Sequence, residues 1–320
     1  MIEVQFSWKS SLDLSLLLAS WSAAFGRKID INVLEWWFST GKYFAESLAA
    51  YIIEDGVIAC FYAISPRIIL NPKGERKKAG LMNIGFTHPK FQGKGYYLLV
   101  NNAMHEELRS MGFACIFGFA NHNSHYSYRK YLGWHDLSTV NNFRLNLATT
   151  NLIKTYAGDC NCLEFVPTSS DLEAFADSVV SQEVYHVERS KDFLNWRLLA
   201  SPLESYRFLK ISSNGSIIGF AIFKVWNNLE MDIMEVFYSD NRFINNQQFF
   251  LTIFDKAHEL GFSSINMWSN LHSEEHLLLE RLGFREDKFS AYYGIINFTE
   301  EFIIDDVRNW HFRFLDSDVY

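Results

Sequence analysis

The sequence predicts two related α/β domains in tandem, each a mixed, largely antiparallel (α+β) sheet flanked by helices, and three observations carry that expectation. One is an internal repeat with a constant spacing of 149 residues (112 to 261, 121 to 270, 124 to 273), slipping by one residue at the pair Gly133 and Gly283. Another is the grammar inside each copy. A glycine that ends a helix, Gly112 or Gly261, is followed at once by an apolar stretch, 113–119 or 262–268, suited to a buried strand. The last is length: 320 residues accommodate two cores at roughly 100–200 residues per domain. The expected division is 1–150 and 151–320, joined near 149–166.

The elements follow in order. Residues 12–25 read as a helix. Residues 46–53 and 57–64 read as strands around Glu54-Asp55-Gly56, a hairpin signal. Residues 81–87 form a strand and 95–111 a helix, with Leu98, Leu99, Met104, Leu108 and Met111 near helical spacing. The second copy repeats this with strands at 206–211 and 217–225 around Ser213-Asn214-Gly215, a strand at 231–238 and a helix at 247–260.

Composition excludes several classes. With 29 basic and 37 acidic residues the net charge is −8, which disfavours a general nucleic-acid or anionic-membrane binder. An apolar fraction of 48% with five prolines excludes a disordered chain. Cys60, Cys115, Cys160 and Cys162 make no disulfide framework and read as free thiols. No secretory leader is visible at the start. The apolar stretch 12–24 is interrupted by Asp13 and serines and falls short of the ~20 residues of a membrane span. A soluble, cytoplasmic protein is expected, monomer or homodimer.

The informative stretch is Phe86-Thr87-His88-Pro89-Lys90-Phe91-Gln92-Gly93-Lys94-Gly95-Tyr96-Tyr97. A strand ends at a proline, a short loop carries two glycines and a lysine, and a helix begins immediately. Glycines let successive amides point outward and the helix start adds its positive dipole end, so the segment suits a pyrophosphate. It is not a Walker loop, since Lys94 is not followed by Ser or Thr.

With its surroundings this stretch resembles the diphosphate loop of the GNAT superfamily of acyl-CoA-dependent N-acyltransferases, which reads Gln/Arg-x-x-Gly-x-Gly/Ala. Gln92, Gly93, Lys94, Gly95, Tyr96 and Tyr97 stand in those places, with Tyr97 where the family has a small residue. Asn121 to Gly133 resembles the family's Asn-rich strand end and following helix. The resemblance implies acyl-CoA (acetyl-CoA or 3-hydroxyacyl-CoA) as co-substrate, no metal, and direct attack by an amine in a ternary complex. It assigns Thr87, Gln92, Gly93, Lys94, Gly95, Tyr96, Tyr97, Asn121 and Ser124 to the co-substrate. A main-chain N–H at Phe86 or Thr87 would polarise the thioester. Among Tyr126, Tyr128 and Tyr131, Tyr128 is the expected acid for the leaving thiolate. Strand 81–87 has no carboxylate, so His88 is the nearest titratable candidate for the base. Asn121 and Ser124 recur as Asn270 and Ser273, which also gives them a capping role.

At the loop's counterpart the second copy reads Asn241-Arg242-Phe243-Ile244, without glycine, so one CoA per chain is expected. Phe193-Leu194-Asn195-Trp196-Arg197 and its surroundings resemble two-domain members that acylate nucleotide-linked amino sugars for surface polysaccharides, among them dTDP-3-amino-3,6-dideoxyhexoses. For such an acceptor the candidates are Trp36, Trp37, Tyr185, His186, Arg189, Trp196, Arg197 and Trp268, because rings suit sugar and base faces and Arg forks suit a diphosphate. Other readings stay open: acylation of another small amine or peptide, aminoacyl transfer from charged tRNA (disfavoured by the loop and the acidic charge), or a CoA-binding module without turnover. His272-Ser273-Glu274-Glu275-His276 also fits the zinc pattern H-x-x-E-H, but without a supporting second motif.

Overall fold

The computed structural model describes residues 3–39, 46–148, 160–178, 184–203, 206–238, 243–299 and 306–317. The first half runs β1 (Gln5–Trp8), α1 (Leu14–Phe25), α2 (Ile31–Phe38), β2 (Leu48–Glu54), β3 (Val57–Leu70), β4 (Arg76–Thr87), α3 (Tyr96–Ser110), β5 (Cys115–Ala120), α4 (His122–Tyr131) and β6 (His135–Asn146). The second runs β7 (Cys160–Phe165), α5 (Ser169–Ser178), β8 (His186–Val187), α6 (Lys191–Leu194), β9 (Arg207–Ser213), β10 (Ser216–Trp226), β11 (Glu230–Tyr238), α7 (Phe243–Glu259), β12 (Ser264–Met267), α8 (Glu274–Arg281) and β13 (Arg285–Asn297).

Local chemistry explains most of these bounds. Asp13 and Asp30 accept from the first-turn amides of α1 and α2. Both hairpin turns place their central pair, Asp55-Gly56 and Asn214-Gly215, at positive φ, the geometry that matches strand twist. Strand β3 runs past the expected end at 64 to Leu70, and β4 begins at Arg76 rather than 81. Pro66 tolerates this because it lies beyond the last β2 partner, Leu48↔Ile64, where β3 has β4 alone beside it.

The strands form one continuous sheet in the order β1-β2-β3-β4-β5-β13-β6-β12-β11-β10-β9-β7, with β8 paired to β3. The two copies therefore exchange their last strands. β13 pairs with β5 of the first copy, and β6 pairs with β12 of the second. On one face, α3 and α4 cover Tyr62, Ile64, Met82, Ile116 and Trp134; on the other, α1 and α2 cover Phe61, Ala63, Ile84 and Phe86.

The segment 306–317 locks the second half. Asn270 Nδ2 donates to Val307 O at 2.7 Å and Trp310 O at 2.5 Å, and Arg313 Nη1 donates to Trp268 O at 3.0 Å. Arg189 then ties this segment to β11: all five of its N–H groups are engaged by Glu235, Asp316 and Val187 O. Glu235 is fully buried. Desolvation alone would raise its carboxyl, but Arg189, His311 and Arg313 together pull it down to about 2.

Replacing Arg189 by Met would strand Glu235 and Asp316 without their main cation, and is expected to cost roughly 3–5 kcal/mol in urea unfolding. A carboxyl lowered in the folded state stabilises above its ordinary value of 4.5, and that contribution fades as pH falls towards about 2. Acid unfolding of the variant should therefore begin at a higher pH than in the wild type. A superimposable acid profile would contradict this role.

Candidate active site

β4 and β5 run parallel over only three pairs, Ala79↔Cys115, Gly80↔Ile116 and Leu81↔Phe117. Beyond them β4 continues to Thr87 against β3 alone, and β5 to Ala120 against β13 alone. A wedge opens, and main-chain groups that face it have no strand partner.

The ladder's alternation identifies those groups. His88 N–H donates to Ala59 O, so Phe86, two residues back and opposite Phe61, turns its amide towards β3. Gly85 and Thr87 turn theirs into the wedge. Of the two amides the sequence nominated, Thr87's turns into the wedge and Phe86's does not; the Phe86 ring stacks on Phe61 at 5.6 Å in the core. Gly85 leaves the wall bare: a Cβ there would meet Tyr62 at 3.4 Å and Tyr97 at 3.8 Å, both on the α3/α4 side of the sheet.

The loop closes the wedge's wide end. Gly93 and Gly95 sit at φ 79 and 78, a left-handed backbone that a side chain would strain, and α3 starts at Tyr96. Side chains cap α1, α2, α4, α6 and α8, through Asp13, Asp30, Asn121, Ser190 and Ser273. The start of α3 has no side-chain cap and no acid in its first turn, which leaves its positive end for an anion. It faces a pocket of about 260 Å³ lined by Thr87, Gln92, Gly93, Gly95, Tyr96 and Tyr97, with Ser127 and Tyr131 from α4. Lys94 does not line it. Its Nζ lies 2.9 Å from Glu54 Oε1 while Tyr96 OH donates to Glu54 Oε2 at 2.7 Å, so Glu54 braces the loop from β2. Those two hydrogen bonds, Lys94's first, hold the Glu54 carboxyl below its ordinary value. The sequence marked Glu54 only as a hairpin residue, with nothing to link it to Lys94 forty positions on.

Helix α4 supplies the third wall. Asn121 Oδ1 accepts from Asn123 N–H at 2.9 Å and Ser124 N–H at 3.1 Å, a cap, and its Nδ2 has no partner among the described residues. Of the three tyrosines considered, Tyr126 and Tyr131 are exposed while Tyr128 is buried, stacked on Trp134 and tilted against Tyr97. Tyr62 and Tyr97 both face it. Burial first, and Tyr128 beside them second, push their phenols well above the ordinary value. Cys60, 3.6 Å from Thr87 Oγ1, is a neutral thiol, pushed up to about 11 by burial. His88 is buried against Phe91 with Nδ1 accepting from Lys90 N–H at 3.2 Å, which engages that nitrogen in the turn.

The acceptor candidates fall into two groups. Trp36 and Trp196 stack at 5.3 Å and exchange hydrogen bonds, each indole N–H donating to the other's carbonyl, with Arg67 over Trp196 and Arg197 over Trp36. They border a pocket of about 810 Å³ between α2 and α6. Arg197 also donates to Tyr206 OH and Ser317 O. Trp37 is partly buried between core clusters. Tyr185, His186, Arg189 and Trp268 lie elsewhere, around 306–317: Tyr185 stacks on Trp310, Trp268 packs on Phe119 and Phe314, and His186 is buried with Nδ1 beside Val184 O. These four are held in the fold rather than lining either pocket.

The loop's counterpart is only partly visible: Asn241 and Arg242 lie outside the described residues, as does most of the expected linker 149–166. The H-x-x-E-H segment serves packing. Glu275 binds the Arg313 guanidinium through both oxygens at 2.6 Å, and His276 stacks on Phe143 at 4.2 Å. Among the described residues no three His, Cys, Asp or Glu side chains converge as a metal site.

No protein-family model matches the chain, and no curated protein does. Solved structures do. A conserved protein of unknown function from Enterococcus faecalis V583, described as a probable N-acyltransferase, is 14% identical with a TM-score of 0.71, covering 93% of this chain and 73% of that one. A GCN5-related N-acetyltransferase from Anabaena variabilis ATCC 29413 is 14% identical with a TM-score of 0.69, covering 92% and 72%. A GCN5-related glucosamine N-acetyltransferase region of a fungal multi-domain GH3 β-N-acetylglucosaminidase is 15% identical with a TM-score of 0.62, covering 92% of this chain and 38% of that one. The chain has the GCN5-related N-acetyltransferase fold.

Gly85→Leu would set its side chain beside Tyr62 and Tyr97, and is expected to cost about 1–3 kcal/mol in urea unfolding. It should weaken acetyl-CoA binding at least about tenfold by calorimetry. Undiminished affinity would mean that the co-substrate does not run along β4.

Proposed function

We propose that the protein transfers an acyl group from acyl-CoA to the primary amine of a nucleotide-linked amino sugar, by direct attack in a ternary complex. The observation that carries this reading is the conjunction of an uncapped helix start behind two left-handed glycines with a wedge whose wall offers the Gly85 and Thr87 amides. A pyrophosphate fits the first, and an extended amide-bearing arm fits the second as an added strand. The thioester supplies the activated acyl group; the protein's part is to hold, polarise and protonate. Thr87 N–H is the proposed donor to the thioester oxygen, a contribution of about 10²–10³ in rate for one such group. Tyr128 is the proposed acid for the departing sulfur. Cys60, kept neutral by burial, is poorly suited to be a nucleophile, which supports direct attack over an acyl-enzyme.

For the acceptor, the Trp36–Trp196 pocket has the volume of a small-molecule site and mixes ring edges with Lys9, Glu35, Lys191 and Asn195. The likeness to a glucosamine N-acetyltransferase region is in keeping with an amino sugar. The second half is proposed as scaffold and acceptor wall. Among the described residues no helix is long and apolar enough to cross a membrane.

Calorimetry should give one acetyl-CoA per chain; two equivalent sites would refute the proposal. A free-thiol assay over dTDP- and UDP-linked amino sugars with acetyl- and 3-hydroxyacyl-CoA should reveal turnover, with Tyr128→Phe slower by about 10²-fold at unchanged CoA affinity. Undiminished turnover in that variant would remove Tyr128 as the acid.

A further inference from the structure

Tyr128 is held from behind. Its ring stacks on the Trp134 indole at 5.6 Å, and its carbonyl accepts from the Leu132 amide at 3.0 Å and the Trp134 amide at 3.3 Å. The indole is restrained twice in turn. A Cβ on Gly294 would run into its six-membered ring, so β13 carries a glycine at this point. Its N–H donates to Asp136 Oδ1 at 2.8 Å, and Asp136 itself pairs with Gly294 across the β6–β13 ladder. The same carboxylate oxygen lies 2.6 Å from His125 Nε2; a carboxylate only accepts, so that nitrogen carries the proton. His125 stacks on Tyr292 of β13, with centroids 3.7 Å apart and planes 10° from parallel. One oxygen thus joins α4, the start of β6 and a strand supplied by the other half of the chain.

The second copy has no such joint. At the repeat's spacing it carries Glu274 or Glu275 for His125, Leu277 or Leu278 for Tyr128, Phe284 for Trp134 and Glu286 for Asp136. Two carboxylates do not pair and a phenyl ring has no donor. There Phe284 packs on Phe143 and Phe254 instead. The same turn of the same fold therefore closes by apolar packing alone, and folding does not require the Asp136 joint.

We propose that Asp136 is a positioning residue for the acid. Through Trp134 and His125 it fixes the Tyr128 phenol at the wedge, and β13 makes the second half part of that seat. This rests on the acyl-transfer reading, in which Tyr128 protonates the departing sulfur as the C–S bond breaks. A misplacement of about 1 Å can cost about 10²-fold in rate. Asp136 does not line the pocket and acts through Tyr128, so its effect depends on the phenol being there.

Hydroxylamine is the test nucleophile, because it needs no acceptor pocket, and thiol release from acetyl-CoA is the readout. Asp136→Ala should lower kcat by about tenfold to a hundredfold with acetyl-CoA affinity unchanged by calorimetry. Asp136→Asn, whose amide oxygen accepts from both donors, should stay within about threefold of wild type. Tyr292→Leu removes the ring under His125 from a partly exposed position, and should lower kcat by about threefold or more, which keeps the test open if Asp136→Ala does not fold. In a Tyr128→Phe background neither Asp136→Ala nor Tyr292→Leu should slow turnover further. Equal fold losses in both backgrounds, or an undiminished kcat in Asp136→Ala, would overturn the assignment. Failure of the wild type to release thiol, or undiminished turnover in Tyr128→Phe alone, would instead remove the reading on which it rests, and the assignment with it.

Discussion

Parallel strands that pair and then part create a demand that the rest of this molecule is arranged to meet. Each leaves a row of amides and carbonyls facing a gap, and buried backbone groups must find partners. The chain does this twice. β4 leaves β5 after Leu81↔Phe117, and β11 pairs with β12 only as far as Ile233↔Met267. The second parting is answered internally: 306–317 lies against it, with Asn270 gripping two of its carbonyls and Arg313 reaching Trp268 O. In the first, Asn121 Oδ1 accepts from the amide two residues on, as Asn270 Oδ1 does, but its Nδ2 holds no chain segment among the described residues.

The same contrast appears inside the bulges. β11 carries its extra residue at Met234, next to Glu235, a carboxylate that Arg189 and Arg313 surround. β4 carries Asn83, neutral and with one unpartnered oxygen. Charge at the second parting is therefore enclosed and structural. The first half keeps uncharged polar groups at its parting (Asn83, Thr87, Tyr128, Cys60) and leaves fixed charge to the brace of Glu54 and Lys94 outside the pocket lining.

Features written within a few consecutive residues were legible in the sequence. The repeat shows through its glycine stops and Asn caps, and the loop before α3 through two glycines directly before a helix; Gln92, Gly93, Gly95, Tyr96 and Tyr97 all line one pocket. Features that depend on pairing were not. Choosing between the Phe86 and Thr87 amides requires the parity of the β3–β4 ladder. Glu54 acts on Lys94 across a hairpin, and the exchange of β6 and β13 reverses neither hydrophobic pattern nor turn chemistry. Arg189 and Trp268 are residue types that bind sugars and phosphates. Those same types suit a buried ion cluster and an aromatic core, and only the partners distinguish the two uses.

Hydrogen–deuterium exchange with and without acetyl-CoA measures both partings at once. The account predicts that the Gly85 and Thr87 amides, within the stretch Asn83 to His88, exchange fast in the free protein and slow on adding acetyl-CoA, while the peptide spanning Ile233 to Tyr238 is protected from the outset and does not change. Protection arising at Ile233 to Tyr238 instead, or no change at Asn83 to His88 under saturating acetyl-CoA, would contradict it.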